Sequence, residues 1–371
     1  MSGKHGKEDY TIKTPYDENC GATTQKTKKK KRKKKSKTLR TLVIILLFLL
    51  LILLGIVIAG YTYMNDKMRR MNVANIVEEN LEISENTNLE KYRNIAIFGI
   101  DSRQDDYSLG NRSDCIIIAN INNKTKEVKL ISVYRDTYVQ IEGYGLDKIT
   151  HAYSYGGAEL AIKTLNQNLD LNIKEFVTVN FDAVVDAVDA LGGIKMNITS
   201  AELNYINGYI EATAANTGKT PNYITNAGMH TLDGVQAVAY SRIRYTAGGD
   251  EKRSERMRDV IEAMVDKLKT KNLSEINNIA DKMLSKVYTN ITMGDILSLL
   301  PSAMSFKITD SIGWPYETKG ITLDRWYGIP VTLESNVTKL HNQAFGDENY
   351  EVPSTIEVIS NKICVKTGYY D

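Results

Sequence analysis

The chain has 371 residues, of which 42% are hydrophobic and 25% charged, enough for one large domain or two modest ones with a proper core. Its formal net charge of +2 hides an asymmetry: residues 1–40 carry 14 Lys/Arg against 4 Asp/Glu, about +10, which leaves about −8 for the remainder. A generally basic, nucleic-acid-binding main body is thereby excluded.

In chain order, the first feature is KTKKKKRKKKSK at 26–37, followed by the uncharged apolar stretch LVIILLFLLLILLGIVIAG at 42–60. At a rise of about 1.5 Å per residue this stretch spans a hydrocarbon core of roughly 30 Å. It is too long and too far from the start for a signal-peptide core, and no small-residue cleavage site follows it. A transmembrane helix is predicted over 41–62. Only Lys67, Arg69 and Arg70 lie close behind it, so the positive-inside rule places residues 1–40 in the cytoplasm and the rest outside, in a single-pass cell-membrane protein. The basic run reads as that topology signal in contact with anionic lipid. The other reading, a cytoplasmic nucleic-acid arm, lacks interleaved aromatics and a folded context. Beyond the membrane, Cys115 and Cys364 could pair, but Cys115 falls within a strand pattern where a buried thiol fits at least as well. The four histidines are scattered and form no zinc spacing; His151 reads as a hydrogen-bonded structural residue.

Residues 63–91 are polar and weakly periodic and read as a stalk. Order begins with two apolar runs, Asn94–Ile100 and Cys115–Ile121, expected of strands covered on both faces. A turn at 122–125 leads into a third strand, 128–134. Helical spacing follows at Ala158, Ala161, Ile162, Leu165 and Leu169, and again at Phe181, Val184, Val188 and Leu191, which Gly192-Gly193 terminates. Residues 237–245, AVAYSRIRY, read as a strand, and Met257 to Leu268 as a long amphipathic helix. Strands between helices predict an α/β fold, a three-layer αβα domain with a central mixed sheet, over 92–319. A C-terminal extension, 320–371, contains further helical segments.

If the first strands form an up-down-up meander, Asp101, Arg103, Arg112, Asp114, Arg135 and Asp136 converge on one sheet edge. A second cluster lies in SRIRYTAGGDEKRSERMR, 241–258. On a strand, Arg242 and Arg244 would share a face, and Arg253 would point inward from the first turn of its helix, against the helix dipole. Such a set is favourable around an anion, because arginine forks grip phosphate; ion pairs with Asp250, Glu251 and Glu255 are the structural alternative. Asp101 and Asp114 suit Mg²⁺, which binds through one or two carboxylates plus substrate phosphates. The arginines suit a pyrophosphate and the charge developed in phosphoryl transfer. No Walker-type loop is present, which argues against ATP, and a glycosidase would not need so many arginines.

The blocks IAIFGIDSR (95–103), NRSD (111–114), LISVYRDTYV (130–139), KITHAYSYGG (148–157), DALGGI (189–194), LDGVQAVAYSRIRYT (232–246) and GDEKRSERMR (249–258) occur in the order found in the LytR-CpsA-Psr family, which the chain resembles from about Tyr92 to about Lys319. The resemblance implies an extracytoplasmic phosphotransferase that moves a glycopolymer, teichoic acid or capsular polysaccharide, from polyprenyl pyrophosphate onto the C6 hydroxyl of N-acetylmuramic acid in peptidoglycan. By motif it implies Asp101 and Asp114 as ligands of Mg²⁺ (or Mn²⁺). It implies Arg103, Arg135, Arg242, Arg244 and Arg253 as pyrophosphate-binding residues, with Lys148 a further motif cation. Asp101 is also a candidate base, with Arg135, Arg242 and Arg244 acting in catalysis and Asp136 orienting a neighbouring arginine. An apolar lipid pocket would draw on Val184, Val188, Ile261 and Met264. Two positions depart from the family: Tyr134 replaces a common proline, and Met257 a common glutamine. The competing readings are a membrane-bound transcriptional attenuator and a lipid-pyrophosphate hydrolase.

Overall fold

The apolar runs beginning at Asn94 and Cys115 become neighbouring strands because their alternate isoleucines can be covered from both sides. In the computed structural model, which describes residues 37–102, 107, 109–299 and 305–370, the elements in chain order are as follows. They begin with α1 (Lys37–Arg70), β1 (Asn72–Val73), β2 (Tyr92–Ile100), β3 (Ser113–Asn122), β4 (Glu127–Val133), β5 (Tyr138–Ile141), β6 (Gly145–Lys148), α2 (Ile149–Leu169), β7 (Glu175–Asn180) and α3 (Phe181–Leu191). They continue with β8 (Ile194–Ile198), α4 (Ser200–Thr217), β9 (Gly228–Leu232), α5 (Gly234–Ser241), α6 (Gly249–Lys269), α7 (Leu273–Met283), β10 (Tyr288–Thr289) and α8 (Met293–Leu299). The last are β11 (Lys307–Trp314), β12 (Thr318–Thr322), β13 (Trp326–Pro330), α9 (Leu333–Phe345) and α10 (Ser354–Thr367). Two units, residues 1–59 and 60–371, divide the chain. The first, where described, is helix; by length and composition one helical stretch, Phe48–Arg70, could cross a membrane.

The second unit is built on a seven-stranded mixed sheet in the order β1-β10-β7-β2-β3-β4-β11. Strands β2, β3 and β4 form the expected antiparallel meander, while β7 joins β2, and β11 joins β4, in parallel. Ile116 and Ile118 face one layer, with α2, α9 and α10, whereas Ile117 faces Met257 and Ile261 of α6. A further core gathers α3, α4, α5, β8 and β9. The fold is thus the three-layer αβα arrangement expected.

Three expectations change. The segment AVAYSRIRY is not a strand: α5 covers Gly234–Ser241 and the chain then turns. Asp233 and Gln236 form a capping box there, and its apolar run is continuous because the helix is enclosed on every side. Gly234 lets α5 meet α3, since a Cβ would lie 2.1 Å from the Val185 carbonyl oxygen. The stretch read as stalk is partly folded into the domain, with Leu81 and Leu89 fully buried and the Leu81 carbonyl accepting from Asn166 at 2.9 Å. The boundary at 319/320 falls inside the β12–β13 hairpin, and α9 and α10 belong to the same core as α2. No disulfide joins Cys115 and Cys364.

Candidate active site

Ile100 pairs with Ser113, and Ile117 with Ser132, so the end of β2, the start of β3 and the end of β4 meet at one sheet edge. Asp101 follows β2 directly and is exposed; its amide donates to the Arg112 carbonyl at 3.3 Å. Arg135 donates from Nη1 to Asp114 Oδ1 at 2.8 Å, and its Nε lies 3.3 Å from Asp136 Oδ2. Lys148 donates to the other Asp136 oxygen at 2.7 Å. The backbone holds this corner rigid: the Tyr134 amide donates to Trp314 O at 2.9 Å, and the Thr150 amide to Arg135 O at 3.1 Å. His151 Nδ1 is 2.9 Å from Asp147 Oδ2, in keeping with its structural reading.

The opposite wall comes from α6. Gly248 and Gly249, at φ +91° and +49°, turn the chain into this helix through conformations that glycine adopts readily. Arg253 is then inward, 3% exposed, donating from Nη2 to the Asp114 carbonyl at 3.2 Å and lying 3.0 Å from Asp250 Oδ1. Arg244 Nε is 3.8 Å from the same Asp250 oxygen. Arg242 faces elsewhere: it donates to Thr213 Oγ1 at 3.1 Å, with its guanidinium 4.8 Å above the Phe181 ring. The strand face expected to be shared by Arg242 and Arg244 therefore does not exist. A turn separates them and buried Ile243 anchors it. Arg103 lies outside the described residues.

Sequence reasoning treated Asp250 only as a possible structural partner, yet it is central here. Burial pushes its carboxyl above the ordinary aspartate range; Arg135 and Arg244 pull it down, and Asp136 and Asp114 push it up. A carboxyl raised in the folded state costs stability as pH rises from its unfolded pKa through its folded one. A ¹³C carboxyl titration should place the Asp250 midpoint above about 3.9; a midpoint at or below that would mean the arginines outweigh burial. Arg135 is held protonated against its burial by Asp114, Asp136 and Asp250.

Two buried N–H groups at this edge, Arg135 Nε and Arg253 Nε, have no hydrogen-bond partner among the described residues, although Asp136 Oδ2 stands 3.3 Å from the first. Leaving such donors unmet costs about 1–3 kcal/mol each, more when the group is charged, so an acceptor arriving there is favoured. Among the described residues no three His, Cys, Asp or Glu side chains cluster as a metal site. Asp101, exposed at the end of β2, and Asp114, one oxygen of which accepts from Arg135, are the two carboxylates at this edge whose oxygens a hard divalent cation such as Mg²⁺ would take.

Beside the arginines lies a cavity of about 180 Å³ whose lining includes Cys115, Phe181, Val184, Met257, Ile261 and Met264. Three of the four expected pocket residues thus line one cavity. Val188 does not; it is fully buried in the α3–α5 core, because its turn of α3 faces that core. Met257, which stands where the resembled family commonly has glutamine, contributes to the apolar lining. Burial pushes the Cys115 thiol up to about 12.

The LytR_cpsA_psr family model matches residues 58–326. The polyisoprenyl-teichoic acid–peptidoglycan teichoic acid transferase TagT of Bacillus subtilis is 36% identical over 236 residues, 61% of this chain and 70% of that protein. The corresponding TagU of Enterococcus faecalis is 34% identical over 223 residues, 59% of this chain and 68% of that protein. A solved structure of TagT with bound octaprenyl pyrophosphate lipid superposes with a TM-score of 0.52 at 28% identity, covering 71% of this chain and 94% of that one.

Proposed function

This chain belongs to the LytR-CpsA-Psr family, and we propose that it is a phosphotransferase moving a glycopolymer from polyprenyl pyrophosphate onto the N-acetylmuramic acid C6 hydroxyl of peptidoglycan. The observation that carries this reading is the pair of half-buried Arg135 and buried Arg253, whose Nε donors meet no hydrogen-bond acceptor among the described residues, beside an apolar cavity. Cys115 of the cavity adjoins Asp114, and Met257 lies one helical turn from Arg253. A diphosphate with an isoprenoid tail matches a cation cluster that opens onto an apolar slot.

The acceptor hydroxyl attacks the phosphorus that bears the glycan. A new O–P bond forms, the bond to the bridging oxygen breaks, and polyprenyl phosphate leaves with the electron pair. Arg135, Arg244 and Arg253 take up the charge that develops on the phosphates, Arg242 sits over Phe181 of the cavity lining, and Lys148 holds Asp136 by a hydrogen bond behind Arg135. Asp101, the exposed carboxylate, accepts the hydroxyl proton. Mg²⁺ (or Mn²⁺) held by Asp101 and Asp114 would neutralise phosphate charge, a role that competes with Asp101 as base. Cavity residues Val184, Ile261 and Met264 cover the first isoprene units. The apolar helix anchors the protein in the cell membrane, with the Lys-rich end cytoplasmic and the domain outside.

The test mixes the full chain with Mg²⁺, a glycan-charged polyprenyl pyrophosphate and peptidoglycan fragments, and reads products by mass spectrometry. A phosphodiester adduct dependent on the divalent cation is expected. Free glycan phosphate without adduct would mean a hydrolase instead, and no turnover or binding of several carriers would overturn the site.

A further inference from the structure

Beyond Arg244 the surface turns aromatic, with Tyr209 packed against the core of α3, α4 and α5 and two further rings left open. Tyr245 is 73% exposed and Tyr205, on α4, 40%. Their ring centroids are 6.0 Å apart with planes at 42°, and the Tyr209 ring, one turn along α4, is 6.5 Å from Tyr245 at 37°. The three rings form a shallow corner, not a stack. It is tied to the arginine segment, because the Arg244 amide donates to the Tyr209 hydroxyl at 3.3 Å. Gly208 lies on the same helix face as Tyr205, in the interior of α4, where glycine costs about 1 kcal/mol against alanine. No heavy atom lies within 4 Å of where its Cβ would be, so packing does not demand it. Its effect is to leave the helix surface open beside the Tyr205 ring.

Open tyrosine faces with hydroxyl rims match the face of a pyranose, which is C–H-rich in the middle and polar at its edge. Position identifies which sugar. Along the chain, Arg242 sits over Phe181 at the cavity, Arg244 reaches Asp250, and Tyr245 comes next. The geometry points to a sugar subsite formed by Tyr205, Tyr209 and Tyr245 that stacks the first pyranose rings of the donor glycan. This rests on the donor reading above: a sugar joined to a phosphate held by Arg244 falls on the adjacent aromatic corner.

The test compares full-length protein with Tyr245→Ala, Tyr205→Ala and Tyr245→Trp, using polyprenyl pyrophosphate bare and the same lipid carrying a disaccharide. Each alanine variant should weaken binding of the charged lipid about tenfold and change that of the bare lipid less than twofold, while Tyr245→Trp keeps both. Equal weakening for both lipids would overturn the subsite, since the rings would then only hold Arg244. No weakening for either lipid would overturn it too, as would a rise confined to the KM for peptidoglycan fragments, which would assign the rings to the acceptor. Wild type that binds neither lipid would defeat the donor reading itself, a result separable from the others.

Discussion

Arg135→Ala is expected to slow transfer about 10²–10³-fold, the loss typical when one preorganised charge-stabilising donor is removed. Its guanidinium serves two ends at once. Nη1 donates to Asp114, while Nε faces Asp136 at 3.3 Å without a hydrogen bond to it, so one arm of the fork is fixed before substrate arrives and Nε is left for a phosphate oxygen. Truncation also leaves Asp114, Asp136 and Asp250 with fewer cations among them. Because the Arg135 side chain is 19% exposed, water relieves part of that, and a loss of about 1–3 kcal/mol in stability is expected, below the figure for a fully buried pair. Rates should therefore be taken by single-turnover mass spectrometry well under the variant's Tm. Arg135→Lys keeps the charge but not the fork and should recover stability better than rate. A rate for Arg135→Ala within threefold of wild type, on folded protein, would remove Arg135 from the phosphate site.

The meander was legible because three apolar runs separated by a polar loop and a turn leave few pairings open, and strand polarity then dictates which charges share an edge. Asp101, Asp114 and Arg135 follow from that alone. Arg253 was legible from helical period, since it repeats with Met257 and Val260. The segment 237–245 was not, because a short apolar run enclosed on all sides has no period to read; the Asp233–Gln236 cap was the available sign of a helix. Val188 fails as a pocket residue for the related reason that one amphipathic face of α3 serves both cavity and core. The short strands β8, β9, β10, β12 and β13 depend on tertiary pairing more than on local pattern. Edge strand β11, which follows described residues 305 and 306, pairs in parallel with a strand some 180 positions earlier, a partner that no local pattern announces.

The pair Glu202–Arg256 was missed, although Thr199 and Glu202 have capping-box spacing. It carries the second large expected effect. Arg256 Nε donates to Glu202 Oε1 at 2.8 Å, Nη1 to the Ile243 carbonyl at 3.0 Å and Nη2 to Thr246 Oγ1 at 2.6 Å, with side-chain exposures of 2% and 5% for Arg256 and Glu202. One guanidinium thus clamps the segment bearing Arg242, Arg244 and Tyr245 onto α4. Glu202→Gln leaves a buried cation uncompensated and should cost about 3–5 kcal/mol at pH 7. Burial opposes ionisation of Glu202, but Thr199 and Arg256 hold its pKa below the ordinary range. Its contribution is therefore present above the unfolded value of about 4.3 and fades as pH falls through the folded one, so the Tm gap between wild type and Glu202→Gln should close in acid. Replacing both partners, Glu202→Met with Arg256→Met, removes the buried charges together and should return stability to within about 1–2 kcal/mol of wild type. Transfer should not return with it, because the Ile243 carbonyl and Thr246 hydroxyl still lack their donor and the arginine segment stays unclamped. A double variant that regains both stability and transfer would reduce the clamp to a fold element with no part in positioning the phosphate site.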